Sequence, residues 1–216
     1  MSSSPNKILM LHGFAQNASI FRAKTSRLRK LLEGKSLELY YADAPIELKP
    51  EDNGSEVISA IKLRAWWITE CQNGQKSFDI TQAITSIKEI IIKEGPFVGI
   101  IGFSQGAALA QMIVNNINEW GNGDTTLKFS IFVSGFAMKE SMVDKHQEVL
   151  NNKISLPSMM VIGELDTVIS NERSLEFVKN NTEPGTNIVV SHQGAHIFPS
   201  SNTMMKKISE WISTFC

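Results

Sequence analysis

The chain has 216 residues, enough for one domain with its own core and short for two. Hydrophobic residues make up 42% and charged residues 20%, ordinary values for a globular protein. With a net charge of -1, neither a nucleic-acid partner nor an anionic membrane surface has an electrostatic basis. The first strong signal is a nearly continuous apolar run at 7–12, which predicts a strand buried on both faces. Phe21, Leu28, Leu31 and Leu32 follow at helical spacing, with Gly34 as the stop. A second strand is predicted at 37–41, ending where Pro45 forbids regular pairing. Between 46 and 77 the pattern is weak, and only 57–69 reads as helix. A stripe of Ile80, Ile84, Ile87, Ile90 and Ile91 predicts a helix closed by Gly95-Pro96. Strands are then expected at 97–103, 129–134, 158–162 and 187–191, and helices at 105–118, 171–180 and 203–214.

Six strands alternating with helices predict an α/β chain: a mostly parallel sheet with helices on both faces, in three layers. Residues 1–216 are read as one domain, and the irregular 46–78 segment as a lid or cap, since stretches of that length without clear elements are commonly functional. The two cysteines, Cys71 and Cys216, form neither a disulfide framework nor a metal-ligand pattern and are expected as reduced thiols. Residues 1–7 are polar and lack an apolar signal core. No apolar run approaches the roughly 20 residues that span a bilayer, so the cytoplasm is the expected compartment. Cys216 lacks the three following residues that prenylation requires.

In parallel sheets ligands bind at the carboxyl ends of the strands, and the chemistry-bearing motifs fall there. Gly102-Phe103-Ser104-Gln105-Gly106 follows a strand and opens an alanine-rich helix. This is the context in which a G-x-S-x-G turn exposes a nucleophilic serine. A serine hydroxyl needs a base, and the base needs an orienting carboxylate. Glu164 and Asp166 both follow the fifth strand, and Asp166 is favoured because it lies further into the loop. Of the later histidines, His146 sits in a polar surface stretch, whereas His192 and His196 both lie near the end of the last strand; chain order alone leaves these two open. Two backbone amides are candidates for an oxyanion hole: Gln105, after the nucleophile, and Phe14, in the turn after the first strand. His12 is then structural. Trp66 and Trp67 in the irregular segment, with Phe136, Ile169, Ile197 and Phe198 after strand ends, are expected to line a substrate cleft for an apolar acyl chain.

Seven pieces in order carry a resemblance: Leu11-His12-Gly13-Phe14 with Gln16-Asn17, Asp43-Ala44-Pro45, Glu94-Gly95-Pro96-Phe97, the stretch from Gly102 to Ala108, Ser134-Gly135-Phe136, Gly163-Glu164-Leu165-Asp166, and Gly194-Ala195-His196 with Pro199. From Leu9 to the last helix the chain resembles the FSH family of fungal serine hydrolases, relatives of the animal ovarian-tumour-associated serine hydrolase. The resemblance implies an α/β-hydrolase fold, carboxylic-ester hydrolysis, no cofactor and no metal. It assigns catalytic roles to Ser104, Asp166 and His196, and selects His196 over His192. The expected partner is a small-molecule ester or thioester; thioesterases use the same machinery, so the two remain alternatives. A non-catalytic binding protein on this fold is disfavoured by an intact set of three catalytic groups. A dienelactone-type hydrolase is disfavoured because the nucleophile is Ser rather than Cys.

Overall fold

The structure is a computed structural model that describes residues 6–49, 62–72, 75–123, 126–150 and 153–216. The chain opens with β1 (Asn6–Leu11), helices α1 (Ala18–Lys24) and α2 (Ser26–Leu32), and β2 (Leu37–Ala42). Four short strands follow: β3 (Ile46–Glu47), β4 (Arg64–Ala65), β5 (Thr69–Gln72) and β6 (Gln75–Phe78). Regular alternation then sets in with α3 (Thr81–Glu94), β7 (Phe97–Phe103), α4 (Gln105–Trp120), β8 (Phe129–Val133), β9 (Ser158–Gly163), α5 (Asn171–Asn181), β10 (Asn187–His192) and α6 (Asn202–Ile212).

Six strands form one sheet in the order β10-β9-β8-β7-β1-β2, and every neighbouring pair is parallel. β7 lies at the centre, and all seven of its residues are buried, as its unbroken apolar run predicts. Alternate side chains divide the core. Ile8 and Met10 of β1 face one cluster with Phe21, Leu28 and Leu32 from α1 and α2 and Met205, Ile208 and Ile212 from α6. Leu9 and Leu11 face the other, with Ile84, Ile87, Leu109, Met112 and Phe177 from α3, α4 and α5. The result is the expected three-layer α/β architecture, with all loops at the carboxyl ends of the strands opening on one edge. Among the described residues no helix is long and apolar enough to cross a membrane.

Two expectations change. The apolar stripe from Phe21 to Leu32 is two seven-residue helices rather than one. At their junction Thr25 takes φ -97 and ψ 11, off the helical values, while its hydroxyl donates to the Phe21 carbonyl at 2.8 Å and meets the Tyr41 hydroxyl at 2.6 Å. The helix predicted at 57–69 falls partly outside the described residues, and its described part is not helical. Arg64–Ala65 pairs antiparallel with Ile46–Glu47, and Thr69–Gln72 pairs with Gln75–Phe78. The peptide groups there bond across the fold instead of to the preceding turn: Arg64 N–H donates to Gln16 O at 2.7 Å and Leu48 N–H to Leu63 O at 2.8 Å. Tertiary partners override a weak local helical pattern.

Candidate active site

The site begins where β7 ends. Ser104 N–H donates to Val133 O of β8 at 2.9 Å, and the Ser104 carbonyl accepts the Ala107 and Ala108 amides of α4. Between these anchors Ser104 takes φ 52 and ψ -116, a left-handed backbone that a non-glycine residue adopts only under constraint. The turn fits because its flanks carry no side chains. A Cβ on Gly102 would come within 2.3 Å of Gly106 O, and one on Gly106 within 2.3 Å of Leu11 O and 2.5 Å of His12 O. The close packing of Gly106 has a second effect: it sets the start of α4 directly against the turn that follows β1.

The His196 imidazole stands over Ser104, with Nε2 2.9 Å from Ser104 Oγ. Its Nδ1–H donates to Asp166 Oδ2 at 2.7 Å. The other carboxylate oxygen, Oδ1, accepts the Val168 and Ile169 amides, both at 2.9 Å. Burial alone would push the Asp166 carboxyl up. The bonds from His196 and the Ile169 amide outweigh it and hold the carboxyl below its ordinary range. An ionised Asp166 accepts only, which fixes the proton on Nδ1 and leaves Nε2 to accept from the serine hydroxyl. Phe103 lies beneath His196, ring centroids 5.1 Å apart, and Phe198 meets Phe103 edge-on at 6.5 Å.

The competing residues are engaged elsewhere. Glu164 accepts the Ser191 hydroxyl at 2.7 Å. His192 Nδ1 accepts the Gly194 amide at 3.0 Å, bracing the loop that carries His196. His146 lies beside Glu148 at the surface. His12 is fully buried: its Nδ1–H donates to Gly13 O at 2.8 Å, its Nε2 accepts the Ala44 amide at 3.1 Å, and burial pushes its pKa down. It is a neutral post for the turn that carries Phe14.

One residue escaped the sequence reading in part. Beyond its backbone amide, the buried Gln105 side chain clamps the 62–68 strand segment, accepting from Trp66 N–H at 2.9 Å and donating to Trp67 O at 2.8 Å. Trp66 Nε1–H in turn donates to His12 O at 3.0 Å. The Ser104 turn, the β1 turn and the Trp66 segment are thereby one bonded unit. No sequence pattern announces such a side chain, because a glutamine at the start of α4 reads as a helix residue.

The six apolar residues expected at a cleft divide. Trp66 and Trp67 are buried in the core, and Phe198 packs against Phe21 and Phe103. Ile169 is also buried, its amide held by Asp166. Phe136 lies under the Arg173 guanidinium at 4.9 Å and borders a cavity of about 280 Å³ with Phe78, Met138, Met142 and Phe177. Ile197, next in sequence to His196, is exposed, as are Phe14, Leu165 and Val168. The last two were not among the residues named from sequence. They follow β9 just where Asp166 does, and that position is the signal available for finding them.

The family model described as Serine hydrolase (FSH1) matches residues 1–208. Among curated relatives, Family of serine hydrolases 3 of Saccharomyces cerevisiae is 32% identical, covering 97% of this chain and 84% of the yeast protein. Esterase OVCA2 of Danio rerio is 31% identical over the full length of both chains. Among solved structures, acyl-protein thioesterase 2 of Zea mays superposes with a TM-score of 0.66 at 18% identity, covering 99% of this chain and 94% of the maize protein. A monoacylglycerol lipase of Paleococcus ferrophilus also reaches 0.66 at 12% identity, covering 99% and 97%. These two likenesses concern the fold. With a matching family model over nearly its whole length, the chain belongs to the FSH1 family of serine hydrolases.

Proposed function

We propose that the chain is a carboxylic-ester hydrolase that acts through an acyl-enzyme on Ser104. The observation that carries this reading is the unbroken bonded chain from Ser104 Oγ through His196 to Asp166, at 2.9 and 2.7 Å. Ser104 Oγ attacks the ester carbonyl while His196 Nε2 takes its proton. Asp166 stays ionised, holds the imidazole tautomer and stabilises the cation. The Phe14 and Gln105 amides hold the developing oxyanion. Gln105 suits this role as the first residue of α4, whose N–H has no partner within the helix. His196 then protonates the leaving alcohol. Water cleaves the acyl-enzyme with His196 again as base, releasing the acid and restoring Ser104.

An apolar acyl chain is supported by the exposed side chains of Phe14, Leu165, Val168 and Ile197, which lie close in sequence to the oxyanion turn, Asp166 and His196. The described part of 46–78 supports a strap rather than a free lid, since Gln105 and Gln16 bond it to the turns it covers. The test is a series of p-nitrophenyl esters from acetate to dodecanoate, run beside acyl thioesters of the same lengths. The reading expects ester turnover that rises with chain length and disappears in Ser104→Ala. Undiminished turnover in that variant would overturn the mechanism, and equal rates across the series would overturn the acyl preference. A panel cleaved only at thioesters would move the assignment to a thioesterase.

A further inference from the structure

β10 ends at His192, and the loop that follows brings His196 to Ser104. His192 lies opposite Gly163 of β9, and its carbonyl accepts the Glu164 amide at 2.8 Å. The loop then passes the end of β9 in close contact, since a Cβ on Gly163 would meet Ala195 O at 2.5 Å and Gly194 O at 2.8 Å. Gly194 is held from both sides. Its carbonyl accepts the amide of Leu165, the residue before Asp166, at 3.1 Å. Its N–H donates to His192 Nδ1 at 3.0 Å. That second bond closes over two residues, the turn that asparagine and aspartate side chains ordinarily make. The imidazole also fills the space over Gly194, where a Cβ would come within 2.8 Å of Nδ1 and 2.9 Å of Cε1.

The Gly194 bond fixes the protonation state of the ring. An amide N–H only donates, so Nδ1 carries no proton and the neutral ring bears it on Nε2. Nε2 is sealed from solvent and has no hydrogen-bond partner among the described residues, so the bond at Nδ1 is the one that orients the ring. A second proton would have to enter at Nδ1, opposite the Gly194 N–H, and two donors cannot share that line. The charged groups that bear on His192 are Asp166 and Glu164, both after β9. The other side chains lining its cavity, from Ser191 and Gln193 to Thr203 and Met204 of α6, carry no charge. Burial pushes its pKa down against the pull of the two carboxylates. We infer that His192 is a positioning residue of the hydrolytic site: its neutral ring latches the Gly194 turn that carries His196, so turnover requires His192 as well as His196 to be unprotonated. The inference rests on the proposed roles of Ser104, Asp166 and His196. His192 acts through the loop and not on the substrate.

Two variants separate the acceptor from the ring. His192→Asn keeps an acceptor where Nδ1 stands and cannot take up a proton. His192→Leu keeps similar bulk and has no acceptor. Without the bond, the Gly194 turn is held only through its carbonyl, and the His196 imidazole is held less firmly at Ser104. A misplacement of about 1 Å at a reacting group costs about 100-fold, so a loop that keeps one of its two anchors should lose about tenfold.

The experiment is the pH profile of kcat and KM on p-nitrophenyl butyrate for wild type, both variants and Ser104→Ala, with circular dichroism marking the range in which each is folded. At about pH 8, His192→Leu is expected to lose about tenfold in kcat with KM unchanged, and His192→Asn to recover most of that loss. On the acid side, log kcat/KM of wild type should steepen from a slope of one to a slope of two as both histidines take up protons, whereas His192→Asn should keep a slope of one. Wild-type turnover in His192→Leu, a loss that His192→Asn does not recover, or equal slopes in wild type and His192→Asn would each overturn the inference. If His192→Leu fails to fold, the slopes of wild type and His192→Asn decide. Turnover that survives Ser104→Ala would instead remove the underlying reading of the site, an outcome distinct from any result at His192.

Discussion

Replacing Gln105 with leucine tests the claim that its side chain, and not only its amide, builds the site. The substitution keeps the helix, the backbone N–H and nearly the same volume. It strips Trp66 N–H and Trp67 C=O of their partners at 2.9 and 2.8 Å, in a place closed to water. A buried group left unpaired costs about 1–3 kcal/mol, so two such groups cost roughly 3 kcal/mol after the gain from apolar leucine is set against them. In a domain of this size, about 3 kcal/mol lowers Tm by roughly 6–12 °C. The same loss frees Trp66, whose indole holds His12 O and with it the turn that carries Phe14. Loss of one oxyanion donor typically costs about 100-fold or more in kcat, so a loosened donor should cost about tenfold. The assays are thermal unfolding by circular dichroism and p-nitrophenyl butyrate turnover at a temperature where the variant is folded. A variant that melts within about 2 °C of wild type and turns over at the same rate would refute the clamp.

Three further outcomes follow from the same geometry. Gly106→Ala places a methyl 2.3 Å from Leu11 O and 2.5 Å from His12 O, both backbone atoms, so α4 must move off β1. Overpacking of this kind costs about 1–3 kcal/mol, and the fall in urea midpoint should be accompanied by lost turnover, because the Phe14 and Gln105 amides proposed for the oxyanion move apart. Asp79 accepts the Thr81 amide at 2.9 Å and Lys145 Nζ at 3.1 Å, and its pKa is lowered from 3.8 to about 2. A depressed carboxyl stabilises the fold above its unfolded pKa and loses that contribution as pH falls through the folded one. Asp79→Asn should therefore lower the urea midpoint modestly at pH 6, by about 0.5 kcal/mol for this exposed group, with the gap to wild type closing between about pH 4 and pH 2. A gap that widens on acidification would contradict the assignment. Leu165→Ser with Val168→Ser removes apolar rim, and KM should rise about tenfold more for the dodecanoate ester than for the acetate; a uniform change would place the acyl chain elsewhere.

The sheet was legible because its strands are short apolar runs separated by helical stripes, and burial on both faces leaves few other ways to arrange them. β7 is the clearest case, since all seven residues are apolar or glycine and all are buried. The Ser104 turn was legible for a related reason: Gly102 and Gly106 stand where any side chain would strike backbone. His196 and His192 could not be separated by spacing alone, because they differ in what each ring bonds and not in local pattern. The 57–69 stretch misled because its described part, from residue 62, finds its backbone partners in Gln16, Leu48 and Gln105, far away in sequence. Trp66 and Trp67 pointed to a cleft for the same reason. Aromatic residues in an irregular segment look unpartnered until the glutamine that seals them is seen.

The central claim is that Ser104 is a nucleophile activated by His196 and Asp166. It is tested most directly by reacting the folded protein with a fluorophosphonate probe and mapping the adduct by peptide mass spectrometry. The account predicts one adduct, on Ser104, absent in Ser104→Ala and formed far more slowly in His196→Ala. A folded wild-type protein that takes up no probe, or a Ser104→Ala variant that labels as fast as wild type, would contradict it.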